Sequence, residues 1–339
     1  MKTGRVGTGA LLLALAGVAL FPACHRRRSS ADVSDVTASF SVNRTTASLG
    51  SAIEVTYTWT TGPAFKKIDK DYRAFVHFLD SHKVMLFSDD HIAAPAPTSW
   101  EPGKTYRYKR TVFIPIYPYV GDVRVVMGLS PTSGKGERLV LKGEDLGLRE
   151  YKVATMELQP QTENIFLVQK AGWHNPESLP ENPSVVRQWT NKEGLISFKN
   201  PKKDVLLYLE ADTCTKCFPQ TPVLTVAVGK AGVTFPIENS EVFLKKIRIK
   251  ASDLGTEDWA DLRLSMNQSF VPKTLGMNND ERELGVLVYH LYVGEVAKLG
   301  TVPDDQVVDA APLPPPAPVR IATKTPIKSG VRPSPAKKP

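Results

Sequence analysis

Cys214 and Cys217 set two thiols three positions apart, the tightest concentration of reactive chemistry in the chain. A redox dithiol of the thioredoxin kind needs a helix directly after the second cysteine to lower a thiol pKa, and Pro219 and Pro222 forbid one there. Structural zinc needs two further ligands, and no second cysteine pair exists. In an oxidising compartment the expectation is a Cys214–Cys217 disulfide, a staple across a very short loop. His77, Asp89, Asp90 and His91, with Asp80 and His82 beside them, are of metal-ligating types. They lack both the His-x-x-x-His spacing of a zinc helix and the Asp-x-Asp-x-Asp-Gly of a calcium loop. Solvated turn residues account for them, so no metal and no cofactor is expected. Gly-x-Ser-x-Gly, phosphate-cradling glycine loops and His-Glu-x-x-His are all missing from the sequence. The expectation is a non-enzymatic protein, with one low-weight exception: glycosidase carboxylates are paired by three-dimensional separation, which no spacing rule detects.

Two tryptophans offer a different chemistry. Trp173 and Trp189 could stack on a sugar ring while Glu177, Asp280 and Arg282 bond its hydroxyls, the way a β-sandwich grips a glycan. The competing account puts both rings in the core and joins Asp280 to Arg282 in a fork-shaped ion pair that braces a loop. These residues sit in Gly172-Trp173-His174-Asn175-Pro176-Glu177, Val186-Arg187-Gln188-Trp189 and Asp280-Glu281-Arg282-Glu283-Leu284-Gly285, with Ile196-Ser197-Phe198-Lys199-Asn200-Pro201 and Ser269-Phe270-Val271-Pro272 between. Residues 164 to 295 thereby resemble the carbohydrate-module-like β-sandwich that accompanies bacterial surface-polysaccharide glycosyltransferases. The resemblance implies a fold and an envelope setting more than an activity, since no transferase domain is present.

The elements that must position these groups are strands. Ile53, Val55, Tyr57 and Trp59 alternate with Glu54, Thr56 and Thr58, which places the first set inward and the second outward. Similar runs at 73–79, 84–87, 105–113 and 123–129 are separated by turn signals such as Glu101-Pro102-Gly103-Lys104. A polar pause at Gln159-Pro160-Gln161-Thr162 precedes a second series at 165–168, 194–198, 205–211, 223–228, 233–237, 242–249, 262–266 and 286–293. Asp253 to Trp259 suggests one short helical turn. The expected fold class is all-β: an immunoglobulin-like sandwich over 36–158, then a jelly-roll-like sandwich over 163–298. From Val302 to Pro339 the chain reads as a disordered Pro-rich tail, since nine of the 27 prolines fall in its last 30 residues.

The N-terminus supplies an address. Lys2 and Arg5 precede an unbroken apolar run from Ala10 to Leu20, and Phe21-Pro22-Ala23-Cys24 closes it. The run is about half the ~20 residues of a membrane-spanning helix, and its closing residues resemble the bacterial lipobox. That resemblance implies a signal peptide over 1–23 and lipidation of Cys24, with residues 24–35 as a tether; plain secretion and an uncleaved anchor are the alternatives. The formal net charge is +8, of which Lys2 and Arg5 contribute two, Arg26, Arg27 and Arg28 three, and Arg320, Lys324, Lys328, Arg332, Lys337 and Lys338 six. The body from Ser29 to Asp309 therefore carries −3, which leaves the folded part no electrostatic footprint for nucleic acid. The expected protein is an exported lipoprotein held at a bacterial membrane, on the periplasmic or the surface face. It would bind or scaffold polysaccharide or peptidoglycan, or serve as a structural subunit that meets envelope proteins through its sheet edges or Pro-rich arm.

Overall fold

A computed structural model describes residues 34–314, apart from 117–118, 163–165 and 180–181. The expected signal peptide, Cys24, most of the tether and the tail from 315 lie outside the described residues. The chain is all-β, as its period-two patterning requires. Among the described residues no helix is long and apolar enough to cross a membrane.

The first sandwich is built from β1 (Val36–Val42), β2 (Thr46–Ser48), β3 (Ala52–Thr61), β4 (Tyr72–Leu79), β5 (Met85–Ser88), β6 (Thr105–Phe113), β7 (Gly121–Pro131) and β8 (Tyr151–Gln159). One sheet has the order β1-β3-β6 and the other β2-β8-β7-β4-β5. Ile53, Val55, Tyr57 and Trp59 all point into the core between them, where Trp59 meets Trp100 and Phe78 stacks on Phe87. Fully burying rings of this size supplies the largest single apolar contributions a small sandwich has.

The second sandwich holds β9 (Leu167–Gln169), β10 (Glu177–Leu179), β11 (Asn182–Trp189), β12 (Glu193–Lys199), β13 (Val205–Asp212), β14 (Val223–Val228), β15 (Ala231–Pro236), β16 (Phe243–Ile249), β17 (Trp259–Met266), β18 (Leu287–Glu295), β19 (Val307–Asp309) and β20 (Ala311–Pro312). Its sheets are β10-β11-β18-β13-β16-β19 and β20-β15-β14-β17-β12-β9. Phe198, Leu207, Leu209, Leu224, Val226, Leu262, Leu264 and Val286 fill the space between.

Three expectations need correcting. The helical turn expected over Asp253 to Trp259 is instead a single 3-10 turn at Ala251–Asp253, and Trp259 opens β17 because the alternation of Ala260, Leu262 and Leu264 extends back to it. The tail begins later than its proline content suggests. Residues 302–314 belong to the fold: Val302 and Val307 pack on buried side chains, β19 runs parallel to β16, and β20 pairs with β15. Ser34 and Asp35 likewise leave the tether, Ser34 bonding Val140 and Asp35 pairing with Lys142.

Glu54 does face outward from the first sandwich, but the second sandwich covers it, and it is only 7% exposed. Its carboxylate accepts from Lys246 Nζ at 2.8 Å and from Thr111 Oγ1 at 3.1 Å. Lys246, itself 1% exposed, also donates to Gln306 Oε1 at 2.7 Å. Around this pair Ala52, Leu206, Tyr208, Tyr292 and Leu299 form an apolar seam between the two sandwiches, and Phe113 stacks flat on His290 at 4.3 Å.

Candidate functional site

The second sandwich opens along one side. β11 pairs with β18 only through Gln188 and Trp189 before the two strands part, and β9 is the short edge of the facing sheet. The gap is a groove of about 380 Å³ in which Leu167, Ile196, Val288 and Leu291 supply the apolar lining. Trp173 forms one wall. Gln169, Arg187, Gln188, Tyr289 and His290 supply polar groups. A concave apolar site with a few convergent polar groups is the usual form of a small-ligand pocket.

Local structure explains why Trp173 sits there. Gly172 adopts φ +76°, and a side chain on it would run into the Glu193 carbonyl, so only glycine lets the chain turn tightly against β12. Trp173 then bridges to Thr190, and its indole N–H donates to Leu195 O at 3.0 Å while the ring packs half-buried on the core. Gln188 bonds reciprocally with Gln169 and donates to His174 O, tying β11 to β9 across the opening. The backbone ladder skips a residue between Glu210 and Ala211, which lets Tyr289 bulge out of register and reach Asp212 Oδ2 at 2.9 Å. Burial raises the Asp212 carboxyl above its ordinary value, against the lowering effects of Tyr289 and Arg187. Arg187 Nε is buried without a hydrogen-bond partner among the described residues, a polar atom of a kind that folded proteins ordinarily satisfy.

The five residues expected to grip a glycan divide into two groups. Glu177, Asp280 and Arg282 do come together, but around one another: Asp280 takes the Arg282 guanidinium as a two-toothed fork at 2.6–3.0 Å, and Glu177 takes its remaining edge at 2.7 Å. Arg282 holds Asp280 below the usual carboxylate range, the reverse of what a proton donor to a glycosidic oxygen needs. The rest of that motif is bracing too: Leu284 is buried against Phe270, and Gly285 leaves no room for a side chain beside Asn191. Trp189 packs half-buried on the core with its ring edge-on to Phe270. Trp173 alone among the five lines the groove. Sequence reasoning missed Arg187, Gln169 and Tyr289, which lie on three strands that only the fold brings together. It also missed Trp259, whose 51% exposure follows from its outward place in the alternation of β17.

Elsewhere, Cys214 and Cys217 form the disulfide, which closes a single 3-10 turn at Thr215–Cys217. The candidate metal-ligating side chains of the first sandwich are engaged by neighbouring groups. Asp89 accepts from Tyr57 and from an Arg110 fork, Asp90 from the Val76 amide, and Asp80 from the His82 and Val84 amides. His77 lies between Asp90 and Glu150. Among the described residues no group of three or more His, Cys, Asp or Glu is placed to hold a metal ion.

No protein-family profile matches the chain and no curated protein matches it. Solved structures show remote likeness. A GH115 4-O-methyl-α-glucuronidase with specificity for decorated arabinogalactans aligns with a TM-score of 0.28 and 15% identity, covering 43% of this chain and 20% of that one. The M60 catalytic domain of Clostridium perfringens ZmpB with its CBM51 domains gives 0.19 and 9%, covering 72% and 34%. A collagen adhesin of S. aureus gives 0.16 and 8%, covering 77% and 81%. The chain thus spans a fifth of the glucuronidase and a third of the M60 protein, and likenesses this remote carry no argument about what it does.

Proposed function

We propose that the chain is a non-catalytic glycan-binding protein of a bacterial envelope, exported and anchored through lipidated Cys24, with the groove beside Trp173 as its binding site. The observation that carries the reading is the groove itself, walled by Trp173 and lined by the polar side chains of Gln169, Arg187, Gln188 and Tyr289. A sugar ring presents an apolar face to the indole and hydroxyl acceptors to the guanidinium.

The test is a glycan array probed with the full chain in detergent, followed by titration of the best envelope polysaccharide. Trp173→Ala and Arg187→Gln are each expected to weaken binding about tenfold, the size of one good contact, with no reducing ends released. A wild-type chain that binds no polysaccharide would transfer the protein to the second reading, an envelope scaffold, which the buried Lys246–Glu54 pair between the sandwiches favours. Incorporation of an alkynyl palmitate that persists in Cys24→Ser would remove the anchor.

A further inference from the structure

The sheet β20-β15-β14-β17-β12-β9 turns its outer face away from the first sandwich, which packs on the opposite sheet around Tyr208, Tyr292 and Lys246. Cross-strand pairing sets the outward residues in rows. Glu193, Ser265, Thr225 and Thr234 form one, and Leu195, Arg263, Ala227 and Gly232 the next. Val168, Ser197 and Asp261 follow, then Lys199 and Trp259. The β14–β15 part of the face is low because Thr225, Ala227 and Gly232 are short. Leu313 rises over Gly232, whose missing side chain makes the space, and closes one flank. The result is a trough of about 650 Å³ lined by Thr225, Ala227, Arg263, Leu313 and their neighbours. From the Trp259 row to the Ser265 row is about 20 Å along the strand, room for several sugar rings in line.

Its charges are unevenly satisfied. Asp261 is bonded by Ser197 and paired with Lys170 at 3.4 Å, and Ser265 donates to Glu193. The side chains of Arg263 and Lys230 line the trough without a hydrogen bond or ion pair of their own among the described residues, although Arg263 lies near enough to Asp261 to help Ser197 and Lys170 lower its carboxyl pKa. On a body whose formal charge is −3, this face shows Lys170, Lys199, Lys230 and Arg263 against Glu193 and Asp261. Trp259 stands half-exposed at its end with its ring free to stack. A guanidinium fork and an ammonium lining the trough, with an exposed indole farther along the same sheet face, complement a chain of sugar rings that carries carboxylates.

We propose that this face is a second glycan site, separate from the groove beside Trp173, and that its ligand is a uronate-bearing polysaccharide. The probe is an oligogalacturonate titrated into the full chain in detergent, with dextran and polyphosphate as comparators. Binding should be seen with oligogalacturonate and not dextran, and should weaken as salt rises. Arg263→Gln and Trp259→Ala should each weaken it about tenfold or more with little change in melting temperature, because both side chains are exposed. Trp173→Ala and Arg187→Gln should leave it unchanged, which keeps this site distinguishable from the groove. The proposal is overturned by no binding, by binding indifferent to Arg263→Gln, or by polyphosphate binding equally well regardless of Trp259. Binding that emerges only after removal of residues 315–339 would also overturn it, since the chain's own Pro-rich segment would then be the occupant.

Discussion

His91 shows how a single side chain in the first sandwich is held in one protonation state. Its Nδ1 lies 2.7 Å from the Asp89 carbonyl and its Nε2 2.7 Å from the Tyr108 hydroxyl, which itself accepts from the Trp59 indole. The Asp89 carbonyl can only accept, so Nδ1 carries the proton, and in the neutral ring Nε2 accepts from the Tyr108 hydroxyl. Burial is the main cause that pushes the His91 pKa below its ordinary value. Arg110 adds to it, and Asp89 and Asp90 oppose it. A lowered folded-state pKa means the unfolded chain takes up the proton first, so the stabilisation is present above the unfolded pKa of about 6.5 and is lost as pH falls. Melting temperature should fall more steeply from pH 7 to pH 5 in the wild type than in His91→Gln, whose amide does not titrate. Equal slopes would show that His91 contributes nothing to acid sensitivity. None of this bonding was legible in the sequence, where His91 read as a solvated turn residue, because its partners come from Tyr57, Tyr108 and Arg110 on two other strands. Trp173 is legible as a candidate through its motif, whereas Trp259 closes a segment, Asp253 to Trp259, whose residues suggest a turn.

Elements were read more surely than sites, since alternation is a local signal and convergence is not. The runs at 205–211, 223–228 and 242–249 became β13, β14 and β16 nearly residue for residue. Three-residue strands such as β2 and β10 are too short to show a period and were missed. The Cys214–Cys217 disulfide was legible because these are the only thiols after Cys24 and Pro219 and Pro222 forbid a helix after them. Because it closes so short a loop, replacing both cysteines with serine should lower stability by only about 1 to 2 kcal/mol in a denaturant titration. A loss above about 4 kcal/mol would mean that the turn organises more than itself. Phe218 and the half-buried sulfurs on the core are where such an effect would arise.

At the scale of the whole molecule, the two sandwiches are joined by an ion pair that neither would bury alone. Lys246→Met should cost about 3–5 kcal/mol, because it removes one member of a buried ion pair and leaves the Glu54 carboxyl in the seam without its counter-charge, while Lys246→Met with Glu54→Leu should recover most of it. A double variant as unstable as the single one would show that the pair is not the source of the penalty. Burial also raises the Tyr208 hydroxyl pKa, with the Glu54 charge adding to it, so Tyr208 stays protonated over the physiological range. The outward position of Glu54 was legible; its burial was not, since no period reports what another domain covers. The last described stretch of chain has one more effect. By laying β19 along β16 and β20 along β15, it occupies the outer rim of both sheets on the same side, and Pro312 and Pro314 supply no amide hydrogens to whatever lies beyond. That flank offers a poor template to a neighbouring chain, so growth of one molecule onto another by backbone pairing is discouraged there.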